Sequence, residues 1–246
     1  MPTNQGMKKI AIILFCFAGF SVRGQELQLH YDFRHSVDPA LNEKNFPWIN
    51  FKYFKKLDTL GKGDFLLEIQ TYLNGKKNNI GQTFIQMAQN IKFWKPKIYL
   101  YLYYSGGLGV TPSSFGYYIS NSYSIGATYP LTFSKTWFSF SLMYRYSALS
   151  KPSHDPQLNL YVGGALLNYR LMYSNTLVFW APDKDNGLPE NMGKKGKQVS
   201  FFADPQVWYG IGKGISAGSR VSLYYHVLNN ENRLMAYPTV GLKKAF

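Results

Sequence analysis

The groups in this chain that could do chemistry recur at every second position. His30 and Asp32 share one parity with Gln28 and Arg34; Asn50 and Lys52 form a second such set, and Glu68, Gln70 and Tyr72 a third. Further on, Phe84 lies between Gln82 and Gln86, a tyrosine ladder runs Tyr99, Tyr101, Tyr103, and Arg145, Arg170, Arg220 and His226 complete the set. Aromatic faces stack on flat solute rings, at ~1–3 kcal/mol for each nucleic-acid base. Amide and charged groups beside them would hold hydroxyls and exocyclic atoms. The structural alternative is that acids and arginines on one interior face pair and brace it while the tyrosines fill space.

Catalysis is a weaker reading of the same residues. The chain has four histidines, His30, His35, His154 and His226. His30 and His226 could share a face, but neither has a serine in register, as a hydrolytic triad would need. His30 with Asp32 falls short of the three or four convergent ligands that a metal site requires. Gly106-Gly107-Leu108-Gly109 lacks the Lys-Ser/Thr of a phosphate-binding loop and reads as a turn. Neither an enzyme nor a cofactor is expected.

The elements that must position these groups alternate with period two. Leu27, Leu29, Tyr31 and Phe33 oppose the polar set beginning at Gln28, so the segment has one apolar and one polar face. The pattern repeats through about a dozen segments and is clearest over 135–147, where Phe138, Phe140, Leu142, Tyr144 and Tyr146 oppose Ser139, Ser141, Met143 and Arg145. A strand is expected to begin near 158, another near 168, and the one over 199–210 to bend at Pro205. Longer polar connections are expected at 36–46, 111–115, 149–156, 182–197 and 229–233. No heptads, linker or shift in composition marks a second domain.

Composition agrees with that pattern. Aromatics are 17% of the chain and charged residues only 16%, against about 25% charged in soluble domains. Mean hydropathy is nevertheless −0.22, and no run of ~18 apolar residues spans a membrane as a helix. Met7-Lys8-Lys9 precedes an apolar stretch, 10–20, then Ser21 and Gly24, the layout of a cleaved secretory signal peptide over 1–24 with Met7 as the start. The only cysteine, Cys16, lies in that segment, so disulfides and thiolate chemistry are not expected in 25–246. Loss of Lys8, Lys9 and Arg23 with it takes the formal charge from +14 to +11. Most lysines fall in turns, which reads as a rim facing solvent or lipid head groups and not as a surface for a nucleic-acid polymer.

An exported chain of short alternating strands crosses a membrane only as a closed barrel, because every backbone group in lipid must pair internally. The expected fold is therefore all-β, a transmembrane antiparallel up-and-down barrel of about 12 strands over 25–246, in the outer membrane. A soluble lipocalin-like barrel is the competing architecture. The terminal Phe246, with Leu242 and Val240 at matching parity, looks like the signal read by the barrel-assembly machinery. Trp48, Phe93-Trp94, Tyr117-Tyr118, Trp137 and Trp180 near strand ends are expected to form interfacial girdles. Outer-membrane lipids and lipopolysaccharide are the expected surroundings.

The segment Glu26-Leu27-Gln28-Leu29-His30-Tyr31-Asp32-Phe33 resembles the opening strand of nucleoside-specific (Tsx-type) outer-membrane channels. The aromatic-rich pattern with a terminal Phe is similar to that group throughout, and closest to a branch described as a domain of unknown function. The resemblance implies passive uptake of small polar solutes, nucleosides among them, with no energy-coupling plug. The candidate pore-lining residues are His30, Asp32, Lys52, Glu68, Tyr72, Phe84, Tyr99, Tyr101, Tyr103, Arg145, Arg170, Arg220 and His226. An anion preference from Arg145, Arg170 and Arg220 is a hypothesis. A structural or adhesive barrel that does not conduct, and an outer-membrane lipid hydrolase, stay open as alternatives.

Overall fold

The computed structural model describes residues 24–246 apart from 57–62, 95–96, 112–114, 150, 188 and 229–231. The expected signal peptide over 1–24 lies outside the described residues except for Gly24. Alternation of apolar and polar side chains becomes a single antiparallel sheet: β1 (Gln25–Asp32), β2 (Phe46–Lys56), β3 (Gly63–Tyr72), β4 (Gln82–Trp94), β5 (Ile98–Val110), β6 (Gly116–Phe133) and β7 (Thr136–Ser147). It continues through β8 (Ser153–Leu166), β9 (Leu171–Trp180), β10 (Ser200–Ala203), β11 (Gln206–Gly212), β12 (Ile215–Tyr225) and β13 (Met235–Ala245).

Apart from β10 and β11, each strand pairs with its sequence neighbours, and β13 pairs with both β12 and β1, so the sheet closes on itself. Segments β10 and β11 both lie between β9 and β12. They are two halves of one strand broken at Asp204-Pro205, the bend expected from the proline. Thirteen segments thus make a closed barrel of 12 strands.

Two strand starts differ from expectation. β8 begins at Ser153 and carries Pro156 within it, opposite Tyr144. One proline forfeits one ladder donor, and the flanking alternation of Asp155 and Gln157 holds the strand together. β9 begins at Leu171, because Leu167, Asn168 and Tyr169 all take left-handed backbone angles (φ 50°, 53° and 66°) and form a tight turn.

The connections sort by end. At one end they are 57–62, 95–97, 134–135, 167–170 and 213–214; at the other they include 33–45, 73–81 and 181–199. The first is called here the short-turn end, the second the long-loop end. Faces sort equally clearly: Phe140 and Leu142 on β7 are 51% and 61% exposed, while Ser141 and Met143 between them are 4%. The outer wall is apolar, and the buried interior is mostly polar, with Gln28, Asn50, Asp155, Gln157, Arg220 and Thr239 nearly inaccessible.

Candidate functional site

The interior of the barrel brings the alternating polar residues together. Near the long-loop end, the chain leaves β1 into a one-turn helix, α1 (Arg34–Val37), which sends Arg34 inward. Its guanidinium binds Asp32 through two bonds, Nε to Oδ1 at 3.1 Å and Nη2 to Oδ2 at 2.8 Å. It also lies over the rings of Phe46 and Tyr237 (4.8 Å each) and Tyr72 (5.8 Å). Asp38, just past α1, pairs with Arg233 at 2.8 Å and fastens this segment to the loop before β13.

A second group lies further into the lumen. The His30 ring stacks on Trp48 (4.1 Å, 7°), and Trp48 in turn stacks on Tyr72 at 5.3 Å. Arg220 reaches from β12 to place its guanidinium 4.8 Å from the Trp48 ring. Its charge is met by Asp204 and by Glu68 at 3.9 Å. Glu68 also pairs with Lys52 (3.5 Å) and accepts from Asn50 (2.8 Å) and Gln70 (3.0 Å). Such contacts run between strands three and four places apart, so side chains and not only the ladder tie the walls together. Towards the short-turn end, Lys243 pairs with Glu26 at 3.3 Å and lies over Trp208 at 4.9 Å.

The opposite wall is built differently. Tyr101 and Tyr103 stack on each other at 6.2 Å, and the Tyr103 hydroxyl donates to Gln86 at 2.7 Å. Beside them β6 and β7 carry small groups, among them Ser122, Ser124, Thr128 and Ser141. Arg145 lies over Trp180 at 4.8 Å and faces Asp155 in register. Asp155 is bound by Lys197 (2.9 Å), which also meets Asp183 (3.0 Å).

The charges of the mid-lumen therefore cancel in groups, while Lys56, Asp64 and Lys92 share the inward parity only at the short-turn mouth. Arg34 offsets Asp32, Lys243 offsets Glu26, Lys52 and Arg220 offset Glu68 and Asp204, and Arg145 with Lys197 offsets Asp155 and Asp183. The chain's formal +14 thus lies elsewhere. In the long loop 181–199, Asp185 accepts from Lys151 Nζ (2.7 Å) and from the backbone N–H groups of Gly193 (2.9 Å) and Gly187 (3.2 Å). The Lys151 bond first, then the two amides, hold its carboxyl well below the usual range, at about 2.

Of the residues expected to line the pore, His30, Asp32, Lys52, Glu68, Tyr72, Phe84, Tyr99, Tyr101, Tyr103, Arg145 and Arg220 share the lumenal parity of their strands. Two do not line it. Arg170 is exposed in the 167–170 turn, because the left-handed run ends β8 before that residue is reached. His226 lies beyond the end of β12 with φ 51°, and its ring bonds the Val199 carbonyl (2.8 Å) and Asn232 (2.7 Å). His30 and His226, which could have shared a face, accordingly do not.

The girdle assignment also divides. Phe93 and Trp94 are 70% and 62% exposed at the end of β4, as a girdle requires. Trp48 is 2% exposed inside the barrel, and Trp180 lies under Arg145. Parity could have found them, since Trp48 shares its face with Asn50 and Lys52. The same rule would have exposed Trp208 beside Gln206, and Asp204 across the Pro205 bend.

The family described as "Domain of unknown function (DUF5020)" matches residues 24–246. No curated protein matches the sequence. Among solved structures, a NanC porin is similar with a TM-score of 0.53 and 11% identity, covering 90% of this chain and 100% of that one. LpxR from Salmonella typhimurium follows at 0.48 and 9%, covering 90% and 99%. OmpF of Salmonella typhi in complex with daunomycin gives 0.43 and 9%, covering 90% and 96%. The first of these shows a shared outer-membrane-type barrel fold.

Proposed function

The chain belongs to the DUF5020 family, and we propose that it is a narrow outer-membrane pore for small, uncharged polar solutes with a flat ring, nucleosides being the implied class. The observation that carries this reading is the lumen's charge balance beside an aromatic wall. Arg220 is engaged by two carboxylates, so it offers no free cation to an anionic solute, and Arg170 is not in the lumen at all. What remains open to a solute is a set of ring faces, Tyr101 and Tyr103 foremost, among hydroxyls and amides. Such a wall grips flat polar molecules by stacking and hydrogen bonding. Arg170 and Arg220 therefore lend an anion preference no support, which leaves it to Arg145 alone, held over Trp180 and opposite Asp155.

In this reading the chain is a passive conduit and not an enzyme. Each histidine ring is already held: His30 by Thr239 and Gln28, His35 by the Asn42 carbonyl, His154 by Tyr144, and His226 by Val199 and Asn232. The full chain reconstituted into liposomes should admit adenosine faster than sucrose or a nucleotide of similar size, measured by swelling. Equal rates for nucleoside and nucleotide would overturn it. A second reading, a non-conducting structural barrel, draws on Arg34 seated among Phe46, Tyr72 and Tyr237, which narrows the long-loop end. Liposomes that contain inserted chain and never swell would select it.

A further inference from the structure

The cations left over from the lumen lie at both ends of the barrel, and one group of them rings the short-turn end. Lys97, Lys135, Arg170 and Lys213 stand in four of its turns, and Lys55 and Lys56 end β2; all are exposed. Among the described residues the acids near this end are Asp64 and Glu26, and Glu26 is taken by Lys243. At the long-loop end Lys151, Lys197 and Arg233 each meet an aspartate, while Lys76, Lys77 and Lys184 stand exposed in its loops. Cations at the short-turn end associate with rings instead, Lys135 over Tyr169 at 5.7 Å and Lys244 over Phe246 at 5.8 Å. Phe93, Trp94 and Phe133 project beside them, each more than half exposed.

One place on this rim is shaped as a seat. The ladder between β11 and β12 slips at Gly210/Gly212, where Gly212 takes φ 134°, a conformation open to glycine. A hollow of about 560 Å³ opens there, lined by Tyr169, Arg170, Met172, Tyr209, Ile215 and the Glu26–Lys243 pair among others. Its walls are mainly apolar, and Arg170 is held at its edge because its carbonyl accepts from Gly210 N–H at 2.7 Å. Among the described residues the Arg170 guanidinium has no side-chain partner. A fork of donors above an apolar recess fits a phosphodiester with acyl chains attached.

We propose that the short-turn rim is a docking surface for anionic phospholipid head groups of the adjoining leaflet, with the Arg170 hollow as its principal seat. What sets this end apart is that its unpaired cations stand beside interfacial aromatics, with few carboxylates among the described residues there to compete for them. The inference rests on the reading that the barrel spans a bilayer, and the test separates the two. The full chain is refolded into vesicles of phosphatidylcholine with a minor fraction of phosphatidylglycerol, one of the two lipids brominated, and tryptophan quenching is recorded. Trp94 at the rim is the reporter, and Trp94→Phe sets the background.

Brominated phosphatidylglycerol should quench severalfold more effectively per mole than brominated phosphatidylcholine, with the preference shrinking in high salt. A Lys135→Gln/Arg170→Gln/Lys213→Gln chain should lose the preference, and a Lys76→Gln/Lys77→Gln/Lys184→Gln chain, altered at the other end, should keep it. Equal quenching by the two lipids, or a preference that survives the rim substitutions, overturns the docking surface while leaving the membrane reading intact. Absence of quenching by either lipid overturns both.

Discussion

Replacing Arg220 by glutamine removes one positive charge from the centre of a lumen whose charges otherwise cancel. Glu68 lies 3.9 Å from that guanidinium and Asp204 is bound to it. With Lys52 still present, one carboxylate's worth of charge is left uncompensated. A unit charge at about 4 Å in water is worth ~1 kcal/mol, which corresponds to about a fivefold enrichment of cations over their bulk level in the constriction. Arg220→Gln should therefore turn a weakly selective pore cation-selective, read as a shift of reversal potential under a KCl gradient. The shift should shrink as ionic strength rises. Arg220→Gln/Asp204→Asn restores neutrality and should return the reversal potential close to the parent value. A parent pore already strongly anion-selective, or a single variant without a shift, would refute the charge-balance reasoning. The single variant should also be less stable than the double one, because a buried carboxylate without its counter-ion is costly, ~3–5 kcal/mol when fully desolvated.

Other outcomes follow from the same geometry. Tyr101→Ala or Tyr103→Ala should weaken nucleoside block of the current by about 1–3 kcal/mol each, whereas Tyr104→Ala, on the outer wall, should leave it unchanged in the same titration. Trp48→Ala removes the ring on which His30, Tyr72 and Arg220 all rest, and should cost ~3–5 kcal/mol in urea unfolding of the refolded chain. Arg34→Ala empties the aromatic seat at the long-loop end and leaves Asp32 without its counter-ion, so it should raise single-channel conductance and shift selectivity towards cations in the same KCl gradient. Asp185 has a depressed pKa, so its hold on Lys151 and the 181–199 loop is complete above the ordinary carboxylate value near 4 and is lost as pH falls through about 2. Hydrogen exchange at Gly187 and Gly193 should accelerate in that window and be insensitive to pH there in Asp185→Asn, apart from the intrinsic trend.

Much of this was legible in a period of two. Once strand parity was fixed, it placed the tyrosine ladder, Glu68, Lys52 and Arg220 on one face, and the closed sheet put that face inside. The bend at Pro205 was likewise visible in the residue type. Position along a strand misleads where parity does not. Trp48 begins a strand, which suggests a girdle, but its alternation with Asn50 and Lys52 points it inward. Arg170 and His226 lie off the lumen because left-handed backbone at Leu167–Tyr169 and at His226 itself ends the ladder, and non-glycine residues give little warning of that conformation. Pairing across the lumen, such as Arg220 on Trp48 and Glu68, depends on the stagger of the closed barrel, which a single strand's pattern does not contain.

The central claim, a narrow pore that grips flat uncharged solutes, is tested most directly by single-channel recording of the refolded full chain in a planar bilayer, titrated first with adenosine and then with a sugar. Small, steady openings are expected, blocked by adenosine at lower concentration than by the sugar, with the block weakened in Tyr101→Ala and Tyr103→Ala. Barrels that insert, resist unfolding and never conduct would contradict it.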